Sequence, residues 1–160
     1  MTEPKIEARG VRKQFASKRG AVLALESIDF VANPGEFVSI VGPSGCGKST
    51  LLYIVGGFVD ATAGEVRVDG QVVTRPDPGR GIVFQEFALF PWKTVRGNIA
   101  YGPARQGMPR AERNELVRKY IDMVKLTGFE KHYPKELSGG MRQRVALART
   151  LIMNPDVLLM

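Results

Sequence analysis

Residues 42–50 restrict the fold of this chain more than any other part of its sequence. They read GPSGCGKST and fit the pattern G-x-x-x-x-G-K-[ST], which lies between a strand and a helix where it binds phosphate. Residues 36–41 are a short apolar run that predicts this strand, and the apolar residues after 50 predict the helix. The sequence therefore predicts an α/β domain with a phosphate-binding loop.

Each part of this loop has a chemical reason. Gly42, Gly45 and Gly47 let the backbone curl so that successive N–H groups point at phosphate oxygens, at the positive end of the helix. Lys48 is expected to reach the β- and γ-phosphates, and the Ser49 hydroxyl to ligate Mg²⁺. The remaining predicted nucleotide contacts are Pro43, Ser44, Cys46 and Thr50. The alternative is a glycine-rich turn that precedes a helix without binding anything.

Cys46 is the only cysteine, which excludes an internal disulfide. A thiol at a helix N-terminus can act as a nucleophile, but no histidine lies near it in sequence, so we interpret Cys46 as a backbone N–H donor. The N-terminus, MTEPKIEARG, lacks the apolar core of a signal peptide, and the longest apolar run, residues 51–59, is too short to cross a membrane. These features predict a cytoplasmic location.

The composition is typical of a folded soluble domain, with 44% hydrophobic and 24% charged residues. The formal charge of +7 comes from 23 basic and 16 acidic side chains. Because acidic residues interrupt the basic groups and no solid basic tract occurs, the charge is only a weak indication of nucleic-acid binding.

The residue periodicity changes near Pro91. Before it, runs of β-forming residues predict strands at 5–13, 27–32, 36–41, 64–69 and 81–84, with a tight hairpin at 68–71. After it, apolar spacing predicts an amphipathic helix over 109–127 that Gly128 ends. A second helix is predicted from Ser138 to Ile152, followed by a buried strand at 156–160.

The second helix begins with a motif of its own. Its start reads LSGGM, formed by Leu137, Ser138, Gly139, Gly140 and Met141, and continues as RQRVALAR. Ser138 is a good N-cap, and the two glycines leave the free N–H groups of the first turn unobstructed, which suits an anion. The alternative is an ordinary capped helix. This segment resembles the signature motif of the ABC (ATP-binding cassette) ATPases, and its spacing after the phosphate loop suits that family.

The resemblance covers residues 5–160 and implies a P-loop NTPase fold with an N-terminal antiparallel β portion and an α-helical signature subdomain. It divides the domain into a nucleotide-binding core, about 1–86 and 154–160, and a helical part, about 87–153. It also implies ATP and Mg²⁺ as ligands and a head-to-tail dimer. In that dimer the signature helix of one chain caps the γ-phosphate bound by the Lys48 loop of a second ATP-binding subunit.

Two further residues match the family's pattern. Gln85 resembles the glutamine that senses Mg²⁺ and the attacking water. The resemblance implies that Lys48 and Gln85 are the catalytic residues. It also implies that Ser49 and Gln85 are the metal ligands. Phe15 resembles the aromatic residue that stacks on adenine. The alternatives are a simple turn residue for Gln85 and a buried core side chain for Phe15.

Residues 87–95, hereafter the interface segment, are apolar and contain Pro91 and Trp92. In the family this stretch contacts the transmembrane permease, and tryptophan is a favoured interface residue; the alternative is core packing. The amino-acid sequences of this segment and of the signature are most similar to those of the ATPases of nitrate, sulfonate and taurine importers. The resemblance therefore also implies an indirect link to a solute-binding protein and a peripheral location on the cytoplasmic face of the inner membrane.

The sequence departs from the family's pattern at its end. Residues 156–160 would lead into an Asp-Glu pair that supplies a Mg²⁺-binding carboxylate and the general base, and this pair is absent. We therefore expect an N-terminal portion of an ABC ATPase, with the C-terminal part of the core missing. Such a chain should bind ATP but hydrolyse it poorly. A family strand between the phosphate-loop strand and the terminal strand also has no counterpart, so the isolated chain should be partly unfolded or aggregation-prone. Alternatives are a non-hydrolysing fragment that pairs with complete cassettes and a soluble ABC ATPase acting on nucleic acid.

Overall fold

The computed structural model describes residues 3–17 and 20–160. The chain forms two compact units, Met1–Asp77 and Pro78–Met160. The first unit contains strands β1 (Ile6–Ser17), β2 (Gly20–Ala32), β3 (Ala63–Val68) and β4 (Gln71–Val72) and helix α1 (Lys48–Gly56). The second contains strands β5 (Arg80–Ile82) and β6 (Val157–Leu159) and helices α2 (Val95–Ile99), α3 (Tyr101–Arg105), α4 (Arg110–Met123) and α5 (Gly139–Leu151), with a 3₁₀ turn at Pro134–Glu136.

The first unit is built on an antiparallel sheet with the strand order β2-β1-β3-β4. The predicted hairpin at 68–71 is confirmed: Val68 pairs with Gln71, and Asp69 and Gly70 both have positive φ, as a two-residue turn requires. Alternate residues of β1, such as Ile6 and Ala8, are buried in the core of the unit. This confirms the predicted antiparallel β portion.

The predicted strand at residues 36–41 is wrong for this structure. These residues are extended between the turn at 33–35 and the phosphate loop, and none of the described residues pairs with them in a sheet. Phe37 is 84% and Val41 89% exposed. β-Forming side chains favour a pleated, half-buried surface, and a strand forms only where a neighbour accepts its backbone hydrogen bonds. Residue type alone therefore overestimated the strand.

The second unit encloses its own apolar core among α2, α4, α5 and the loop before α5. Its most buried members include Ile99, Leu126 and Val145, each 0% exposed. The predicted terminal strand is confirmed as β6, which pairs in parallel with β5 so that Arg80 lies opposite Val157. The second predicted helix is confirmed as α5, which begins directly after Ser138 and ends at Leu151.

The other helix predictions need correction. Helix α4 ends at Met123, not near Thr127, because Lys125 takes a left-handed conformation with φ 55° that ends the helix before Gly128. Helices α2 and α3 were not predicted. Each has five residues, and a helix of little more than one turn is too short to show a 3.6-residue period.

Candidate functional site

The phosphate loop lies in the first unit and leads into α1. Gly45 and Gly47 have φ values of 81° and 96°, a left-handed region that residues with a side chain rarely adopt. A Cβ on Gly47 would lie 2.5 Å from the Ala24 carbonyl oxygen and 2.6 Å from Leu25 Cδ2. The loop therefore passes directly against β2, so that Gly47 is required both by its conformation and by this close approach.

The start of α1 presents backbone donors that no side chain caps. The first intrahelical hydrogen bond runs from the Leu51 N–H to the Gly47 carbonyl at 2.9 Å. The amides of Lys48, Ser49 and Thr50 precede it and have no intrahelical acceptor. Gly47, the N-cap, supplies no side-chain acceptor, and the first turn carries no acidic residue. This end of α1 is thus free to bind an anion through its amides and its dipole.

The Lys48 side chain folds back over the same loop. Its Nζ donates to the carbonyl oxygens of Gly42 at 2.8 Å and Pro43 at 2.6 Å. The Cys46 N–H closes a turn onto the Pro43 carbonyl at 3.4 Å, and the exposed Cys46 Sγ lies 3.6 Å from Lys48 Nζ. The predicted loop residues thus lie together, with an ammonium group beside the free amides. The Lys48 ammonium therefore donates to carbonyl oxygens of the loop itself, and these are the donors that would otherwise bind phosphate oxygens.

Ser49 and Gln85 offer the chemistry that Mg²⁺ prefers, since both have neutral oxygen donors and both are exposed. Ser49 lies in the first turn of α1 and Gln85 in the turn after β5, in the second unit. Within residues 3–17 and 20–160, no three His, Cys, Asp or Glu side chains cluster as a metal site. Each side chain by itself is a suitable oxygen donor for Mg²⁺, an ion that commonly takes its other ligands from phosphate and water.

Phe15 lies on β1 at the surface of the first unit. It pairs with Val22 of β2, is 41% exposed, and its ring lies 4.9 Å from the Lys13 ammonium. The structure does not support the core-packing alternative, because a large part of the ring faces solvent. The ring is accessible to a planar ligand such as a base.

The signature residues form the N-terminal end of α5 in the second unit. Ser138 caps the helix, with its Oγ accepting from the Met141 N–H at 3.3 Å. Leu137 is buried and anchors this end in the core. Gly139 and Gly140 are exposed, and a Cβ on either would meet no atom within 4 Å. Neither packing nor a left-handed φ calls for glycine at these two positions.

The interface segment divides into buried and exposed parts. Leu89 and Val95 pack in the core of the second unit, whereas Trp92 is 70% exposed. The Phe90 ring lies 5.7 Å from that of Trp92 and 4.6 Å from that of Tyr101, measured between centroids. The segment thus supplies core side chains and also displays an aromatic cluster at the surface.

Sequence reasoning missed Asn98, which shapes this segment. Asn98 is 0% exposed, and its Oδ1 accepts from the Phe90 N–H at 2.9 Å. Its Nδ2 donates to the carbonyls of Phe90, Lys93 and Thr94 at 3.0–3.2 Å. A buried amide with every polar atom bonded specifies one backbone path. The sequence around it, Arg96-Gly97-Asn98-Ile99, does not reveal that the asparagine is buried or which groups it binds.

The structure combines two features. One is a glycine-rich loop with uncapped amides and a lysine folded over it, and the other is a signature helix whose first turn carries two exposed glycines. Together they define the class of this protein as an ATP-binding cassette. A family model described as ABC transporter matches residues 25–160, and the chain belongs to the ABC transporter family. Among the described residues, no helix has the length and apolarity needed to cross a membrane.

Several curated relatives are similar over almost the whole chain. The nitrate import ATP-binding protein NrtD of Synechocystis is 49% identical over 155 residues, covering 97% of this chain and 58% of the relative. The aliphatic sulfonates import ATP-binding protein SsuB of Bacillus cereus is 47% identical, covering 94% and 59%. The taurine import ATP-binding protein TauB of Burkholderia thailandensis is 49% identical, covering 98% and 60%. The chain therefore spans about three fifths of the length of these relatives.

Solved structures confirm the predicted fold class. The dimeric structure of the bacterial ABC transporter cassette MJ0796 is similar with a TM-score of 0.89 at 35% identity, covering 96% of this chain and 72% of that chain. A dimeric post-hydrolysis state of the same cassette, bound to ADP and Pi, gives a TM-score of 0.85 at 34% identity and the same coverage. The family predicted from the phosphate loop and the signature is thereby also confirmed.

Proposed function

We propose that this protein is the ATP-binding subunit of an ABC importer, coupling ATP binding and hydrolysis to the uptake of a solute of the nitrate, sulfonate or taurine type. The observation that carries the proposal is the uncapped amino end of α1 beside Lys48. The names of the relatives, which import nitrate, aliphatic sulfonates and taurine, support the solute class.

In this proposal the triphosphate of ATP lies in the loop of residues 42–50. The amides after Gly47 bind the phosphate oxygens, and the Lys48 ammonium exchanges the carbonyls of Gly42 and Pro43 for the β- and γ-phosphates. Ser49 and Gln85 would hold Mg²⁺, which would neutralise charge on the phosphates. The exposed Phe15 ring would stack on adenine.

The signature end of α5 would contact nucleotide bound by a second subunit. Gly139 and Gly140 support this, because open space surrounds both positions and nothing within the described chain requires glycine there. Close approach of a ligand to the backbone is one reason for glycine in a helix, where it is otherwise unfavourable. The dimeric state of the similar cassette supports the same arrangement.

The aromatic cluster around Trp92 would contact a transmembrane permease, and a solute-binding protein would act through that permease. An exposed tryptophan packed beside two other aromatic rings has the composition of an interface centre. This arrangement requires a peripheral position at the cytoplasmic face of the inner membrane. A polypeptide limited to these 160 residues is proposed to bind ATP but to hydrolyse it slowly, since none of its side chains is assigned as the general base.

Two measurements test the proposal. Calorimetric titration with a non-hydrolysable ATP analogue and Mg²⁺ should give saturable binding that Lys48→Ala weakens. Copurification with a coexpressed permease should be lost in Trp92→Glu but retained in Met123→Glu, a control that places the same charge at another exposed apolar residue of the second unit. Absence of analogue binding would refute the nucleotide site, and equal copurification of both variants would refute the permease surface.

A further inference from the structure

The first part of the interface segment has an unusual backbone. Phe87 and Ala88 are consecutive residues with φ values of 62° and 44°, a left-handed conformation that is unfavourable for residues with a side chain. The Arg149 guanidinium of α5 donates to both of their carbonyls, from Nη1 to Ala88 at 2.8 Å and from Nη2 to Phe87 at 3.3 Å. An unfavourable local conformation is thus stabilised by a side chain distant in sequence.

A second arginine of α5 contacts the same stretch. Arg142 precedes Arg149 by seven residues, which is about two helical turns, so both lie on one face of α5. The Arg142 guanidinium lies 5.7 Å from the centre of the Phe87 ring, and that of Arg149 lies 5.3 Å from the centre of the Phe90 ring. Two cations spaced along the signature helix therefore contact the start of the interface segment.

The surroundings of Arg149 show what it binds. None of the three ion pairs between described residues includes it, and burial lowers the pKa of its guanidinium. Arg149 thus gives up solvent and finds its hydrogen-bond acceptors in the backbone of residues 87 and 88. A partly desolvated cation with fixed acceptors constrains their geometry more strongly than an exposed one.

We propose that Arg149 is a positioning residue that attaches the interface segment to the signature helix, so that the aromatic surface around Trp92 follows the signature helix when α5 contacts nucleotide. This inference rests on the proposed function, because it assumes that Ser138, Gly139 and Gly140 meet nucleotide and that Trp92 meets the permease. It adds the physical connection between the two, made through Arg149 with support from Arg142.

Hydrogen exchange measured by mass spectrometry on the purified protein tests this connection. Without nucleotide, Arg149→Gln should speed exchange of the amides at 87–90 about tenfold or more, because charge-assisted hydrogen bonds to their carbonyls are lost. Exchange in α4 should stay unchanged. Arg149→Lys, which keeps the charge but loses the two-pronged geometry, should give an intermediate rate. Arg118→Gln, at an exposed arginine of α4, is the matched control and should change neither region.

Adding adenylyl imidodiphosphate with Mg²⁺ separates this inference from the proposed function. In the wild type we expect slower exchange at the phosphate loop, the signature and the interface segment. In Arg149→Gln, exchange should slow at the phosphate loop and the signature but not at the interface segment. Equal protection of the interface segment in both proteins, an unchanged basal rate at 87–90, or faster exchange throughout α4 in Arg149→Gln would overturn the inference. No protection of the wild-type phosphate loop would refute the proposed function instead, while the nucleotide-free comparison still decides the role of Arg149.

Discussion

Replacing Gly140 by alanine should separate the stability of α5 from its contact with nucleotide. Gly140 is exposed in the first turn of α5, and an added Cβ would meet no atom within 4 Å. Alanine favours a helix over glycine by roughly 0.5–1 kcal/mol. The variant should therefore be more stable by up to about 1 kcal/mol, which raises Tm by about 2–4 °C in a domain of this size.

The same methyl group should weaken assembly. If the signature end of α5 approaches nucleotide bound to a second subunit, the added carbon stands where the ligand must come within hydrogen-bond distance of backbone amides. We expect nucleotide-dependent dimerisation to weaken at least about tenfold, equivalent to the loss of one good hydrogen bond to a charged group. Sedimentation velocity with and without a non-hydrolysable ATP analogue measures this effect, and calorimetry measures Tm.

Gly128→Ala is the matched control. A Cβ there also meets no atom within 4 Å, but Gly128 has a φ of 92°, so alanine should cost about 1–2 kcal/mol. This variant should lose stability and keep nucleotide-dependent dimerisation. Unchanged dimerisation affinity of Gly140→Ala, or a loss of stability equal to that of Gly128→Ala, would show that Gly140 does not meet a ligand at its backbone.

Three further variants probe other contacts. Lys48→Ala should lower ATP affinity about 10- to 100-fold by calorimetry, since its ammonium makes charge-assisted bonds, and an unchanged affinity would contradict its role. Asn98→Ala should cost about 3 kcal/mol in denaturant unfolding, far more than Asn114→Ala, which removes an exposed bond to Arg96; equal costs would argue against its importance. Glu130 accepts from the Gly128 N–H at 3.0 Å, which lowers its pKa below the usual 4.5. Its stabilisation is present above that value and is lost as the pH falls through the lowered pKa, so wild type and Glu130→Gln should converge in stability in acid; a constant difference down to about pH 2 would contradict this.

Asn98 and Arg149 both follow the interface segment in the chain and bind different parts of its backbone. Asn98 binds the backbone at Phe90, Lys93 and Thr94 from α2, and Arg149 binds it at residues 87 and 88 from α5. The exposed Trp92 lies in the part shaped by Asn98. Both residues act on the backbone, so substitutions at either position should alter the aromatic surface without changing its composition.

Much of the fold followed from local patterns. The hairpin at 68–71, the start of α5 at Ser138 and strand β6 were all predicted, because turn residues, an N-cap and a short apolar run act over a few neighbouring positions. The end of α4 and the short helices α2 and α3 were not. Their boundaries depend on packing against the core of the second unit, where Val95 and Ile99 are buried.

The sequence by itself determined the phosphate loop, the signature and the family, because the chemistry of both motifs resides in the backbone and side chains of consecutive residues. Only the tertiary structure decided that residues 36–41 lack a paired neighbour among the described strands, that Trp92 faces solvent, and that Arg149 binds carbonyls about 60 residues away. The physical reason is that each of these features depends on residues distant in sequence. A strand needs a neighbouring strand, an exposed side chain needs a surface that no other residue covers, and a long-range hydrogen bond needs its acceptor, and sequence spacing specifies none of these.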